Sequence, residues 1–253
     1  MEDSLDSYTE QDFDAAFWDL VRKLVVGCTP VEDGYPVAYL LGGQSGAGKT
    51  ALHVILKELH GNNVVVINGD IFRKFHPHFR ELEQRYGKES VDHTAAWAGK
   101  MTEALVDYFS SLSYNLVIEG TLRTSEVPLA SATLLRERGY DVSLALMAVK
   151  PEISLVSCQL RYEQMRLAGT TPRATDPTHH RKIVSNLAVL EESGMFDGIY
   201  LYNRDRMRLY PQDDLDLPAS QVLEDVLFGN WTEAELAHYR ALKSELEELQ
   251  RKG

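Results

Sequence analysis

Val37-Ala38-Tyr39-Leu40-Leu41 runs straight into Gly42-Gly43-Gln44-Ser45-Gly46-Ala47-Gly48-Lys49-Thr50, and this junction decides the fold. The apolar run follows Pro36 and reads as a buried strand. Downstream, Leu52, Ile55, Leu56 and Leu59 recur at helical spacing until Gly61-Asn62 ends the pattern. Gly43–Thr50 matches G-x-x-x-x-G-K-[ST] in full, between a strand and a helix as that motif requires. Its glycines let backbone N–H groups converge on phosphate oxygens, and the helix N-terminus adds partial positive charge. Lys49 is placed to reach β- and γ-phosphates, and Thr50 to offer its hydroxyl to Mg²⁺. Gly43, Gln44, Ser45, Gly46, Ala47, Gly48, Lys49 and Thr50 are therefore the expected ATP-binding residues.

Outward from the loop, strand and helix alternate. Val64–Ile67, Leu116–Ile118, Val142–Val149 and Ile199–Tyr202 read as further strands. Helices are expected over Val91–Leu112, Val127–Arg138, Pro151–Leu167 and Thr178–Leu190, with Thr170-Thr171-Pro172 breaking the pattern between the last two. Before the first strand, Phe13, Phe17, Leu20 and Leu24 mark a helix that Thr9 can cap. At the far end Thr232 and Glu235 form a capping box. The stripe Leu236, Tyr239, Leu242, Leu246 and Leu249 that follows packs on the core or offers a seam to a partner. The expected class is α/β: a P-loop kinase-like parallel sheet flanked by helices, with a helical lid and C-terminal helices. One domain is expected over 1–253, with a core at about 35–210, an N-terminal helix at about 9–26 and C-terminal helices at about 219–252. In such sheets ligands sit beyond the carboxyl ends of the strands.

Composition narrows the functions. The 253 residues carry 26 Lys plus Arg against 38 Asp plus Glu, a formal net charge of −12, with 44% hydrophobic residues. That balance suits a folded globular chain and disfavours a nucleic-acid sleeve, whose affinity rests on cations against phosphates. Cys28 and Cys158 have neither redox nor metal-ligand spacing. The start, Met1-Glu2-Asp3-Ser4-Leu5-Asp6, is acidic and lacks the apolar core of a signal peptide. No apolar run approaches the roughly 20 residues that span a bilayer. A cytoplasmic protein without nucleic-acid or membrane partners is expected.

The loop specifies nucleotide binding, and the reaction must come from other residues. A guanine reader N-K-x-D is missing; Asn203-Arg204-Asp205 is the nearest and matches poorly. Leu41-Gly42-Gly43-Gln44 resembles a transporter ATPase signature but overlaps the loop, so it is no second motif. A kinase needs a carboxylate near the acceptor hydroxyl and cations for the moving phosphoryl group. Asp70, in Ile67-Asn68-Gly69-Asp70, stands where an acceptor would lie, as general base, as the N-cap of the next helix, or as both. Glu119 ends the third strand, where it either holds Mg²⁺ through water or is a solvated strand end. Glu103 by itself reads as an ordinary exposed helical glutamate. Arg161 and Arg173, a helix–loop pair after the fourth strand, suit a lid that brings guanidinium groups onto the transferred phosphate. His76-Pro77-His78 and His179-His180 lack further ligands at metal spacing.

Taken in order, Leu40–Thr50, Asn68-Gly69-Asp70, His76-Pro77, Met101-Thr102-Glu103-Ala104, Asn115–Thr121, Arg161-Tyr162-Glu163, Arg173-Ala174 and Leu201-Tyr202-Asn203-Arg204 resemble the bacterial zeta toxin family, in its short streptococcal-type form. The resemblance covers about residues 35–210. It implies a kinase toxin of a toxin–antitoxin system that moves the ATP γ-phosphate to the 3′-hydroxyl of the N-acetylglucosamine part of UDP-N-acetylglucosamine and so blocks peptidoglycan synthesis. By matching positions it implies catalytic roles for Asp70, Lys49, Arg161 and Arg173. Substrate contacts are implied for Glu103, Glu119, Thr121, Arg123 and Ser131, with Mg²⁺ held by Thr50 and, through water, Glu119. ATP and Mg²⁺ are the implied cofactors, and a small helical antitoxin covering the nucleotide site is the implied partner. Three positions depart from the family pattern: Asn68 where an acid is common, Ser131 where some members have threonine, and Leu122 where some have glycine. Other readings of the residues are a metabolic small-molecule kinase with another alcohol as acceptor, and a non-enzymatic ATP-dependent interaction module.

Overall fold

The structure, a computed structural model, describes residues 5–168, 180–212 and 216–251. In chain order its elements are α1 (Glu10–Leu24), β1 (Val37–Gly42), α2 (Thr50–Leu59), β2 (Val65–Ile67), α3 (Gly69–Phe72), α4 (Phe79–Tyr86), α5 (Ser90–His93), α6 (Ala95–Ser111), β3 (Leu116–Glu119), α7 (Glu126–Glu137), β4 (Asp141–Met147), α8 (Pro151–Leu167), α9 (His180–Glu192), β5 (Gly198–Tyr202), β6 (Arg208–Tyr210), α10 (Ala219–Phe228) and α11 (Glu233–Arg251). Among the described residues the strands form one sheet in the order β2-β3-β1-β4-β5-β6. The first five strands run parallel, and β6 pairs antiparallel with β5.

The apolar run Val37–Leu41 is central because both of its neighbours are strands. Leu40 aligns with Ile118 on one side and Leu144 on the other. Side chains alternate across a strand, and here both faces are buried. Ala38 and Leu40 join the core beneath α1, α6, α7, α9 and α10. Tyr39 and Leu41 join the core formed with Leu52 and Leu56 of α2 and Ile153 of α8. A strand covered on both faces reads as a continuous apolar run rather than an alternating one.

Parallel order brings the carboxyl ends of β1, β2, β3, β4 and β5 to one edge. Leu41 lies beside Glu119, and Ile67 beside Ile118, so the Asn68 turn adjoins Glu119. The loop before α2, the turn before α3 and the turn after β3 therefore share one rim.

Local differences from the sequence reading have physical causes. The helix expected over Val91–Leu112 is interrupted at Thr94, whose hydroxyl donates to Ser90 O at 2.9 Å. Arg73 Nη1 also donates to Val91 O at 2.6 Å, so that carbonyl is held by a side chain. Leu59, expected on the buried face of α2, is exposed in the helix's last turn. The short helices between β2 and α6 had no long periodic pattern to mark them. β6 has three residues and no fully buried one. The stripe on α11 packs inward: Leu246 sits with Val156 and Leu160 of α8, and Tyr239, Leu242 and Leu249 pack beside them.

Candidate active site

The loop between β1 and α2 has positive φ at Gly43, Gly46 and Gly48. A side chain at Gly46 would meet α8 at once, since a Cβ there falls 2.3 Å from Ser154 O and 2.7 Å from Cys158 Sγ. Glycine is needed at Gly46 both for its φ and for the closeness of α8. Gln44 is buried and anchors the loop, its Nε2 donating to Val149 O at 2.7 Å and Ser154 Oγ at 2.6 Å. Lys49 closes the loop on itself, with Nζ donating to Gly43 O at 2.9 Å. Thr50 opens α2 and is exposed. From the other side Arg204 donates to the carbonyls of Gly46 and Ala47.

Acidic groups face this cradle. Glu119 Oε1 lies 4.0 Å from Lys49 Nζ. Burial pulls the Lys49 ammonium below its ordinary pKa, and the carboxylates of Glu119 and Asp70 oppose that pull. Asp70 is therefore within electrostatic reach of the lysine. It occupies the first turn of α3, with its side chain 60% exposed and Oδ1 accepting from Arg73 Nε at 3.1 Å. Asn68, not Asp70, caps α3: its Oδ1 accepts the Asp70 N–H at 3.0 Å. The same amide's Nδ2 donates to Glu119 Oε2 at 2.7 Å. One side chain thus ties the Asp70 turn to the end of β3.

Glu119 is not a solvated strand end: its side chain is 17% exposed. Besides Asn68, His53 Nε2 lies 3.0 Å from Oε2. That nitrogen is buried, the contact falls outside hydrogen-bond alignment, and it has no other partner among the described residues. A lone pair so close to a carboxylate oxygen would repel it, so Nε2 carries the hydrogen. His53 stands four residues after Lys49 on α2, one helical turn on; that i, i+4 spacing was the signal that could have found it. Asn68, noted in the sequence only as a departure, gave no sign of its double bond.

The remaining candidates are less tightly placed. Arg161 is exposed on α8, and its charge reaches Lys49. Arg173 lies outside the described residues. Glu103 is exposed on α6, one residue past Thr102, whose Oγ1 would lie 2.8 Å from a Cβ at Gly69. Thr121 is half-buried and Arg123 exposed in the turn after β3, and Ser131 is half-buried on α7. Between Thr121 and Arg123, Leu122 holds a positive φ of 50° and is buried over Gly42. Its carbonyl accepts Asn186 Nδ2 of α9 at 2.8 Å. A leucine in that backbone region is uncommon and is held by its surroundings.

As a metal site, the rim offers hard oxygens, the Thr50 hydroxyl and the Glu119 carboxylate. Such a donor set suits Mg²⁺, which keeps several waters and shares the phosphates of its nucleotide. Among the described residues no three His, Cys, Asp or Glu side chains cluster as a metal cage.

The chain is similar along most of its length to proteins of one known family. A model of the zeta toxin family matches residues 23–214. "Toxin PezT" of Streptococcus pneumoniae serotype 4 is 44% identical over 250 residues, 97% of this chain and 98% of that one. "Toxin zeta" of Streptococcus pyogenes is 38% identical over 209 residues, 81% of this chain and 72% of that one. A solved structure from a characterisation of the PezAT chromosomal toxin–antitoxin system of Streptococcus pneumoniae superposes with a TM-score of 0.90 at 42% identity, covering 98% of this chain and 99% of its own. With a P-loop kinase-like fold and these relatives along almost its whole length, the chain belongs to the zeta toxin family.

Proposed function

We propose that this protein is the kinase toxin of a toxin–antitoxin system, moving the γ-phosphoryl group of ATP to the 3′-hydroxyl of the N-acetylglucosamine unit of UDP-N-acetylglucosamine. The observation that carries the phosphotransfer reading is the juxtaposition of the glycine cradle and Lys49 with Asp70 and Glu119 across one rim. Cradle amides and Lys49 hold the phosphates, and Lys49 offsets charge as the γ-phosphoryl group leaves. Asp70 orients the acceptor hydroxyl and takes its proton late, because a sugar hydroxyl has a high pKa. Arg161 and Arg173 bring guanidinium charge to the transferring group. Thr50 and, through water, Glu119 would hold Mg²⁺, which would supply positive charge against that developing on the phosphates. Glu103, Thr121, Arg123 and Ser131 contact the acceptor. Asn68 and His53 keep the Glu119 carboxylate aimed at the loop.

The acceptor rests on family membership, and so does the partner, a small helical antitoxin that covers the nucleotide site. Blocking a peptidoglycan precursor stops growth and places the activity in the cytoplasm. The decisive test incubates the full chain with ATP, Mg²⁺ and UDP-N-acetylglucosamine beside a panel of other alcohols, then identifies the phosphorylated product by mass spectrometry and locates the phosphate by NMR. Phosphate on the amino-sugar 3′-oxygen is expected. Transfer only to another alcohol would replace the toxin reading with that of a metabolic kinase. ATP binding without transfer to any acceptor would make the chain a nucleotide-dependent interaction module.

A further inference from the structure

Arg204 leaves β5 through a closed turn. The Asn203 N–H donates to Met207 O at 3.0 Å, and the Met207 N–H returns to Asn203 Oδ1 at 2.9 Å. From this turn the guanidinium reaches the outside of the phosphate loop. Nη2 donates to Gly46 O and, at 2.8 Å, to Ser157 Oγ of α8. Nε donates to Ala47 O at 3.3 Å, and Nη1 lies 3.1 Å from His238 Nε2 on α11. Four of the roughly five N–H groups of an arginine are thus engaged. An arginine cannot accept, so His238 Nε2 is the acceptor and the imidazole is neutral. Burial and the neighbouring Arg204 cation both lower its pKa, as that arrangement requires.

The geometry has a consequence for the loop. A peptide unit is planar and trans, so its C=O and N–H point opposite ways. Holding Ala47 O toward Arg204 turns the Gly48 N–H to the other side of the loop. Holding Gly46 O fixes the peptide whose N–H donates to Gln44 O at 3.1 Å and closes the turn. With Gly46 and Gly48 both at positive φ, the loop has conformations to escape into unless something pins its carbonyls. We infer that Arg204 is a positioning residue for the nucleotide. It clamps the carbonyl side of the phosphate loop so that the amide side stays shaped for phosphate, and His238 extends that clamp to the C-terminal helix α11. α11 then has a stated task, since it packs on α8 and presents His238 to the arginine. The inference rests on the reading of Gly43–Thr50 as a phosphate loop.

The test is equilibrium binding of ATP and of inorganic pyrophosphate to the full chain, for wild type, Arg204→Gln, Arg204→Lys, Ser157→Ala and His238→Leu. Arg204→Gln should weaken ATP and pyrophosphate in parallel, by about tenfold or more, because charge-assisted bonds to two carbonyls are lost. Arg204→Lys, with one nitrogen, should recover part of the loss in both ligands. His238→Leu and Ser157→Ala should each weaken both ligands by about threefold, a small fraction of a clamp spread over four bonds. These two variants lie outside the loop and carry the test if Arg204→Gln does not fold. A loss confined to ATP, with pyrophosphate binding unchanged, would make Arg204 an adenine contact and overturn the clamp. Unchanged affinity for both ligands in every variant would overturn it as well. Wild-type chain that binds neither ligand would defeat the phosphate-loop reading itself, a different failure from wild-type binding that the variants leave untouched.

Discussion

Gly46→Ala and Gly48→Ala separate backbone strain from packing in the phosphate loop. Both glycines have positive φ, 79° and 93°. An L-residue there costs roughly 1–2 kcal/mol. The loop escapes that cost by leaving the cradle shape, so it appears as lost nucleotide affinity, about 5- to 30-fold at roughly 1.4 kcal/mol per tenfold. At Gly48 nothing more is added, because the nearest atoms to a new Cβ are 3.8 Å away on Arg204. At Gly46 the new Cβ falls 2.3 Å from the backbone oxygen of Ser154, inside the 3.0 Å that real contacts respect. A helix carbonyl cannot swing aside as a flexible side-chain tip can. The loop or α8 must shift by roughly 0.7 Å, enough to stretch amide–phosphate bonds past their 2.7–3.2 Å range. Each such bond to a charged group contributes about 1.5–3 kcal/mol. Gly46→Ala should therefore lose on the order of 100-fold or more in ATP affinity, and at least about tenfold more than Gly48→Ala. Calorimetric titration of both variants, with thermal midpoints as fold controls, measures the difference. Equal losses would refute the idea that α8 walls the loop at Gly46.

Asp70→Ala should abolish phosphoryl transfer while ATP affinity stays within about twofold, because the proposed function has it act on the acceptor hydroxyl and not on the nucleotide; wild-type-like turnover would remove Asp70 from the chemistry. Arg161→Gln should lower kcat by at least about tenfold with little change in ATP affinity, and an equal loss in both would mean uniform binding instead. Asp197 links three elements away from the site, accepting from Arg136 at 2.8 Å and from the Val142 N–H at 2.8 Å. Burial raises its pKa, but those two bonds, the Arg136 charge and its own backbone N–H together outweigh it, and the net shift is downward. A lowered folded-state pKa gives stability that is present above the unfolded value and disappears as pH falls through the folded one. Asp197→Asn should thus lower the thermal midpoint at pH 7, with the gap to wild type closing below about pH 4. A gap of constant size down to pH 2 would show that the charge contributes nothing.

Several features were legible in the chain because they are local. Val37–Leu41, the glycine spacing of 43–48 and the helical repeat after Thr50 define a strand–loop–helix unit from residues next to one another in sequence. The interval between strands then implied parallel pairing, since parallel neighbours require a crossover. β6 has no pattern of its own to mark it, because its antiparallel pairing with β5, not its three residues, makes it a strand. The break at Thr94 depended on Arg73, distant in sequence, reaching the Val91 carbonyl.

The rim of the site shows the same division. Lys49 and Thr50 were specified by a contiguous motif, whose chemistry depends on near neighbours. Asn68 looked like the loss of an acid until folding placed its amide between the Asp70 N–H and Glu119. His53 became part of the site only when β3 brought Glu119 beside α2. Arg204 lies 157 residues from the carbonyl of Ala47 that it holds. Backbone conformation follows short-range sterics and can be read from neighbours, whereas the partner of a polar side chain is whichever group the packed sheet and helices bring within about 3 Å.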